Sequence, residues 1–236
     1  MLTLAIETAT DHSRVVLTQD GEELAWWREV THEDLCRRLA GEVGRVLSGA
    51  RREFRDLDLV CVGLGPGSFT SLRVGLATAK GICLAWNLPL VGVSSLAAMA
   101  WQRRAWITGL ACPVLDARRG EVYGGAFRAG EGWVERVQGE FVANAAGLAE
   151  RVGGLREPVT VFGQTDLIPL AEIEAALSGR AQVLSEQPIL PDAGAVARLG
   201  EIRFRERGAD DLASLRPLYV RKSYAEEKYD LDLGLR

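Results

Sequence analysis

The segment Gly65-Pro-Gly-Ser-Phe-Thr-Ser71 holds the residue types and spacing best suited to chemistry. Gly65 and Gly67 allow backbone conformations that a side chain would block, and Pro66 fixes the turn between them. Ser68, Thr70 and Ser71 compete to cap the helix that follows, which leaves its first N–H groups on the loop side, where an anion is favoured. The loop lacks a Gly-Lys-Ser/Thr ending and G-x-G-x-x-G spacing, so it is neither a P-loop nor a dinucleotide fingerprint. A phosphate cradle and a plain tight turn both fit it. Two acids extend the candidate site. Glu7 and Asp116 each end an apolar run, and facing carboxylates at strand ends can hold a hydrated magnesium ion with a nucleotide phosphate. The alternative for either acid is to cap its own turn or pair with an arginine, and Arg118 and Arg119 follow Asp116 directly.

Other reactive residue types are sparse. The two histidines, His12 and His32, cannot form the pair one helical turn apart that a zinc site would use. Neither sits where it would support a serine nucleophile, and His32 reads as a solvent-facing first-turn residue. Cys36, Cys61, Cys83 and Cys112 form no C-x-x-C pair, and each lies among apolar neighbours as a small hydrophobe. The residues therefore assign no catalytic group and no metal ligand. Reduced thiols, and a start that meets Glu7 without a basic n-region, lead us to expect a cytoplasmic protein.

The chain has 236 residues, of which 47% are apolar and 25% charged, which excludes a disordered, collagen-like or disulfide-scaffold protein. With 28 basic against 32 acidic residues, the net charge of −4 gives no electrostatic footprint for a polyanion. Gly81–Gln102 carries no charge and has the length of a membrane span. Asn87, Pro89, Gly92, Ser94 and Ser95 divide it into a helix end, a short strand and a new helix start, so we read it as buried core.

These residues need elements to position them. Leu2–Glu7, Arg14–Gln19 and Glu22–Val30 read as strands, the last two joined by Asp20-Gly21. Thr31–Asp34 resembles a capping box ahead of a helix to about Leu47. Leu57–Leu64 is a strand buried on both faces, Ser71–Trp86 a helix, Leu90–Val93 a strand, and Ser95 to Arg104 a helix. The order then repeats. Strands are expected at 111–116, 121–127 and 133–137, a helix near 145–152, a strand at 159–162, a helix at 167–177, a strand at 181–184 and a helix at 192–207. This implies two α/β lobes, each a mixed sheet with crossover helices, at 1–108 and 109–236, with the 192–207 helix able to pack back on the first lobe.

The helix after the loop is unusually apolar. From Leu72 to Trp86 its only charges are Arg73 and Lys80, whereas a helix over a sheet needs only about a 100° apolar stripe. It is either buried on two sides by its own chain or turned towards a partner. With the 31–47 helix beside it, it can supply half of a four-helix bundle between subunits. The residues placed on that contact are Leu35, Leu39, Val43, Leu72, Gly75, Leu76, Ala79 and Cys83.

Leu-Ala-Ile-Glu-Thr-Ala-Thr at 4–10, the Gly65–Gly75 segment, Ala79-Lys-Gly81, Asp116-Ala-Arg-Arg-Gly-Glu-Val-Tyr123 and Pro217-x-Tyr-Val-Arg221 resemble the TsaB (YeaZ) family, nearly end to end. The resemblance implies the duplicated actin-like, sugar-kinase-like (ASKHA, ribonuclease-H-like) fold. It implies a non-catalytic subunit in bacterial synthesis of threonylcarbamoyladenosine next to the tRNA anticodon. That subunit pairs with the related catalytic protein TsaD through the first two helices, works with the ATPase TsaE, meets tRNA only indirectly and is not a membrane protein. No tightly bound cofactor is implied, and a nucleotide with magnesium would sit only at the subunit junction; Glu7, Gly65, Gly67, Ser68, Thr70 and Asp116 stay the candidate nucleotide or anion loop read from the residues themselves. For the chain alone, a homodimer through the same surface and a monomer both stay open. Glu7 replaces the family's usual aspartate, and Ser71 a common third loop glycine. The competing reading is a weak nucleotide-binding enzyme, kinase-like or glycoprotease-like, on the same fold.

Overall fold

In a computed structural model of the protein, residues 1–30, 34–165, 181–184 and 189–221 are described. They form two compact units, Met1–Ala98 with Pro191–Pro217, and Met99–Leu190 with Leu218–Arg236. The sequence places a boundary at 108/109; the first unit runs to Ala98 and takes in the segment from Pro191.

The first unit is built on strands β1 (Leu2–Glu7), β2 (Ser13–Gln19), β3 (Glu22–Glu29), β4 (Leu59–Gly63) and β5 (Leu90–Val93). They lie in the order β3-β2-β1-β4-β5, antiparallel through β3-β2-β1 and parallel through β1-β4-β5. Every residue of β1 and β4 is buried, as central strands covered on both faces require. Helices α1 (Leu35–Gly49) and α2 (Phe69–Trp86) pack side by side on the sheet. The other face is closed by a helix from the far end of the chain, Ala193–Arg207. There Thr3 Oγ1 donates to Glu201 at 2.8 Å, and a Cβ on Gly200 would meet Cys61 Sγ. Asp192 caps this last helix by accepting from Gly194 and Ala195, and pairs with Arg14 of β2.

Helix α3 (Ser95–Arg103) leads out of the first unit. The second holds β6 (Leu110–Arg118), β7 (Glu121–Gly130), β8 (Trp133–Ala143), α4 (Ala145–Gly153), β9 (Val159–Gly163) and β10 (Ala181–Val183). The Ala193–Arg207 helix is α5. The second sheet runs β10-β9-β6-β7-β8, with the same antiparallel meander and parallel crossovers as the first, so the architecture is duplicated. Its core gathers Leu110, Cys112, Val114, Phe141, Leu148 and Val161.

Two expectations shift. Helix α1 begins after Asp34, whose backbone is left-handed with φ of 62° and whose side chain makes no cap bond; Thr31, His32 and Glu33 lie outside the described residues. Strand β8 continues to Ala143, well past 137, because it stays paired with β7 along its length. The helix expected at 167–177 and the tail from 222 to 236 also lie outside the described residues. No helix among the described residues is long and apolar enough to cross a membrane; Gly81–Gln102 is divided between α2, β5 and α3.

Candidate functional site

The candidate residues of the first unit meet at the C-terminal end of β1. Glu7 is almost fully buried, and its carboxylate is taken up by the chain: Ala9 N–H and Ser95 Oγ–H each donate to it at 2.8 Å. Room for it exists because Gly63 has no side chain; a Cβ there would fall on the carboxylate. Burial pushes the Glu7 carboxyl up to about 7, against the lowering pull of the Ser95 hydroxyl and the Ala9 and Thr8 N–H groups. Arg14 stands opposite Glu7 in the β1–β2 ladder, but its guanidinium engages Asp192 and Glu23.

The 65–71 loop closes onto the same strand end. Gly65 N–H donates to Ser95 Oγ at 3.1 Å, and Ser95 N–H returns a bond to the Gly65 carbonyl at 2.9 Å. Gly67 packs against the Ala9 carbonyl so closely that a side chain is excluded, and that carbonyl accepts from Ser68 N–H at 2.7 Å. Ser68 and Ser71 hydroxyls lie 3.0 Å apart, and Thr70 is exposed. Two loop amides, those of Gly65 and Ser68, thus serve the fold. Of the serine pair at 94–95, Ser94 Oγ caps α3 through Ala97 N–H at 3.2 Å, while Ser95 reaches Glu7.

Asp116 lies in the second unit and follows the alternative weighed for it. It accepts from Arg118 N–H at 2.6 Å and pairs with the Arg118 guanidinium at 3.2 Å across a turn in which Arg118, Arg119 and Gly120 all have positive φ. Its own N–H donates to Gln164. No cluster of three metal-ligating side chains occurs among the described residues. Cys61, Cys83 and Cys112 are buried thiols whose pKa values burial raises, the last two to about 12, while Cys36 is exposed.

The helix pair shows a face reversed from the one selected. Leu35, Leu39, Val43, Leu72, Gly75, Leu76, Ala79 and Cys83 are all buried within the first unit. The internal alternative holds at these positions, because they form the stripe that covers the sheet. Gly75 is small because Thr8 Oγ1 occupies the space of its Cβ. Yet the opposite face of α2 is also poor in charge. Thr70, Arg73, Ala77, Gly81 and Leu84 recur there at steps of three and four residues, all exposed, with Leu84 at 72%. On α1, Gly41 is exposed and Gly44 partly so. Among the described residues, a Cβ on Gly41, Gly44 or Gly81 would meet nothing within 4 Å. Sequence reasoning placed none of these three on the contact, although Gly81 stands in the Ala79-Lys-Gly81 motif; the further signal was glycine inside a helical pattern.

A family model described as TsaD, tRNA N6-adenosine threonylcarbamoyltransferase, matches residues 29–160. The chain is 28% identical over 229 residues to the tRNA threonylcarbamoyladenosine biosynthesis protein TsaB of Bacillus subtilis, covering 97% of this chain and 98% of that one. It is 37% identical over 126 residues to TsaB of Escherichia coli, covering 52% of this chain and 53% of that one. Among solved structures it resembles a Pseudomonas aeruginosa protein described as similar to peptidase YEAZ, with a TM-score of 0.76, 24% identity, and coverage of 93% of this chain and 99% of the other. A ROK hexokinase from Thermus thermophilus, at 14% identity and a TM-score of 0.52, shares the fold over 87% of this chain and all of its own. The two mixed sheets are thus duplicated lobes of the actin-like, sugar-kinase-like class.

Proposed function

Starting from a chain that belongs to the TsaB (YeaZ) family, we propose a non-catalytic subunit of the complex that makes threonylcarbamoyladenosine in tRNA. Its task is to bind and support the catalytic subunit TsaD, alongside the ATPase TsaE, in the cytoplasm. A role in this biosynthesis is what the named relatives carry.

One observation supports docking through α1 and α2: among the described residues, the outward glycines Gly41, Gly44 and Gly81 have no packing reason. Glycine in a helix interior costs about 1 kcal/mol relative to alanine. That cost is explained if another backbone or side chain must approach closely, and the apolar stripe through Ala77 and Leu84 gives the approaching surface something to cover. The docking residues are then the outward neighbours of the eight first selected. A homodimer of the isolated chain would use the same surface.

The non-catalytic role is supported by Glu7, whose carboxylate is consumed by Ala9 and Ser95, and by a sequence without a histidine pair for a metal. A nucleotide with magnesium belongs, in this reading, only to the subunit junction. The acidic balance assigns tRNA docking to the partner.

Mixing the chain with purified TsaD and TsaE tests the proposal. A stable complex with this chain, and tRNA modification that depends on it, is expected. No complex at micromolar concentration, or micromolar magnesium-ATP binding with turnover by the chain alone, would replace it with the enzyme reading.

A further inference from the structure

The donors around Glu7 form a closed nest for one carboxylate. Ala9 N–H and Ser95 Oγ–H lie at 2.8 Å, and a Thr8 N–H bond joins them. Arg14, the cation across the ladder, is engaged by Asp192 and Glu23 instead. The carboxyl is held by neutral dipoles, in space that Gly63 leaves open. A free carboxylate would find the same partners; here the carboxylate arrives on its own chain.

What the nest holds is connected to α2. Ser95 Oγ, while donating to Glu7, accepts from Gly65 N–H, and Ser95 N–H bonds the Gly65 carbonyl. Just beyond Glu7, Thr8 Oγ1 donates to the Ser71 carbonyl at 2.9 Å and fills the notch at Gly75, and the Ala9 carbonyl holds Ser68 N–H. Strand end, loop and the first two turns of α2 are one bonded body. Emptying the nest leaves Ala9 N–H and the Ser95 hydroxyl buried without a partner, which such groups resist by moving.

We propose that Glu7 is a tethered ligand for a buried carboxylate nest, and that its occupancy positions the 65–71 loop and, through it, the outward face of α2. Glu7 is a positioning residue and touches no partner. The second half of this inference rests on the docking role proposed for α2; the nest does not.

The test uses the full chain carrying Glu7→Ala, compared in sodium formate and in sodium chloride at equal ionic strength. Thermal midpoint and affinity for TsaD are both measured, with Ser95→Ala as a second variant. Glu7→Ala should weaken TsaD binding at least tenfold. Formate should raise its midpoint several degrees more than chloride does, and recover most of the lost affinity, with no such preference in the unmodified chain. Ser95→Ala should lose affinity without formate rescue, since a donor rather than the ligand is missing. Formate acting no better than chloride on Glu7→Ala overturns the nest, and unchanged TsaD affinity overturns the positioning role. Should Glu7→Ala fail to fold in chloride, folding in formate supports the nest and failure in both overturns it. If the unmodified chain does not bind TsaD, the docking role falls while the formate comparison still decides the nest.

Discussion

Glu7 and Gly63 occupy neighbouring strands, and the carboxylate of the first fills the space where a side chain of the second would begin. This relation explains how a charged side chain ends a fully buried strand. It also makes Gly63 a packing residue, since the obstacle to a larger one is steric.

Gly63→Ala should therefore destabilise the chain. The methyl group must displace the carboxylate from Ala9 and Ser95 or push the β4 backbone aside, and overpacking of this kind costs about 1–3 kcal/mol. Urea denaturation of the variant at neutral pH measures it. An unchanged midpoint would mean that Glu7 has another place to go.

Stability should depend on pH through the same carboxyl. Its folded-state value, about 7, lies above the ordinary 4.5, with burial as the first cause and Asp192 adding slightly. The native state then binds the proton more tightly than the unfolded one. The stabilisation is fully present below about pH 4.5, is lost as pH rises to about 7, and is level above. At ~1.4 kcal/mol per pH unit the change is on the order of 3 kcal/mol. Glu7→Gln keeps an acceptor for Ala9 N–H and can donate to Ser95, so it should flatten the slope between pH 4.5 and 7. Urea midpoints of both proteins across this range provide the comparison, and parallel slopes would exclude Glu7 as the group responsible.

Two glycines on α2 should respond in opposite directions to the same change. Gly75→Ala places a methyl on Thr8 Oγ1 and should destabilise by ~1–3 kcal/mol. Gly81→Ala meets open space and should stabilise by about 1 kcal/mol, through helix propensity alone. If Gly81 exists for close approach, that more stable variant should bind TsaD less tightly. Thermal melts and affinities of both variants test the pair; equal destabilisation would mean that Gly81 is not on the outward face.

Much of this fold is legible in the chain because burial on both faces leaves a plain mark. Leu2–Glu7 is apolar but for Thr3 and its terminal acid, Leu59–Gly63 is a continuous apolar run, and the strand-strand-strand-helix order returns after Leu110. The Gly65–Ser71 loop is visible from residue type alone. The ends of elements are less so: Asp34 opens α1 in a left-handed conformation that no capping pattern announces. Orientation of α2 is hidden for a specific reason. A helix with an amphipathic stripe declares its inner face, but α2 is apolar or small on nearly every side, so Leu72 and Leu84 look alike in sequence while one is buried and the other 72% exposed. The partner of Glu7 is hidden too, since Ser95 is 88 residues away and reads locally as a cap.

The outward flank of α2 is what the proposed role depends on, and Leu84 is its most exposed large apolar residue. Leu84→Glu leaves the core untouched and should not change the thermal midpoint of the isolated chain by more than a degree or two. Its affinity for TsaD, measured by calorimetry beside the unmodified chain, should fall about a hundredfold, the ~3 kcal/mol of an interface hot spot. Equal affinity in the two proteins, with complex formed by both, would place the docking surface elsewhere and contradict the account.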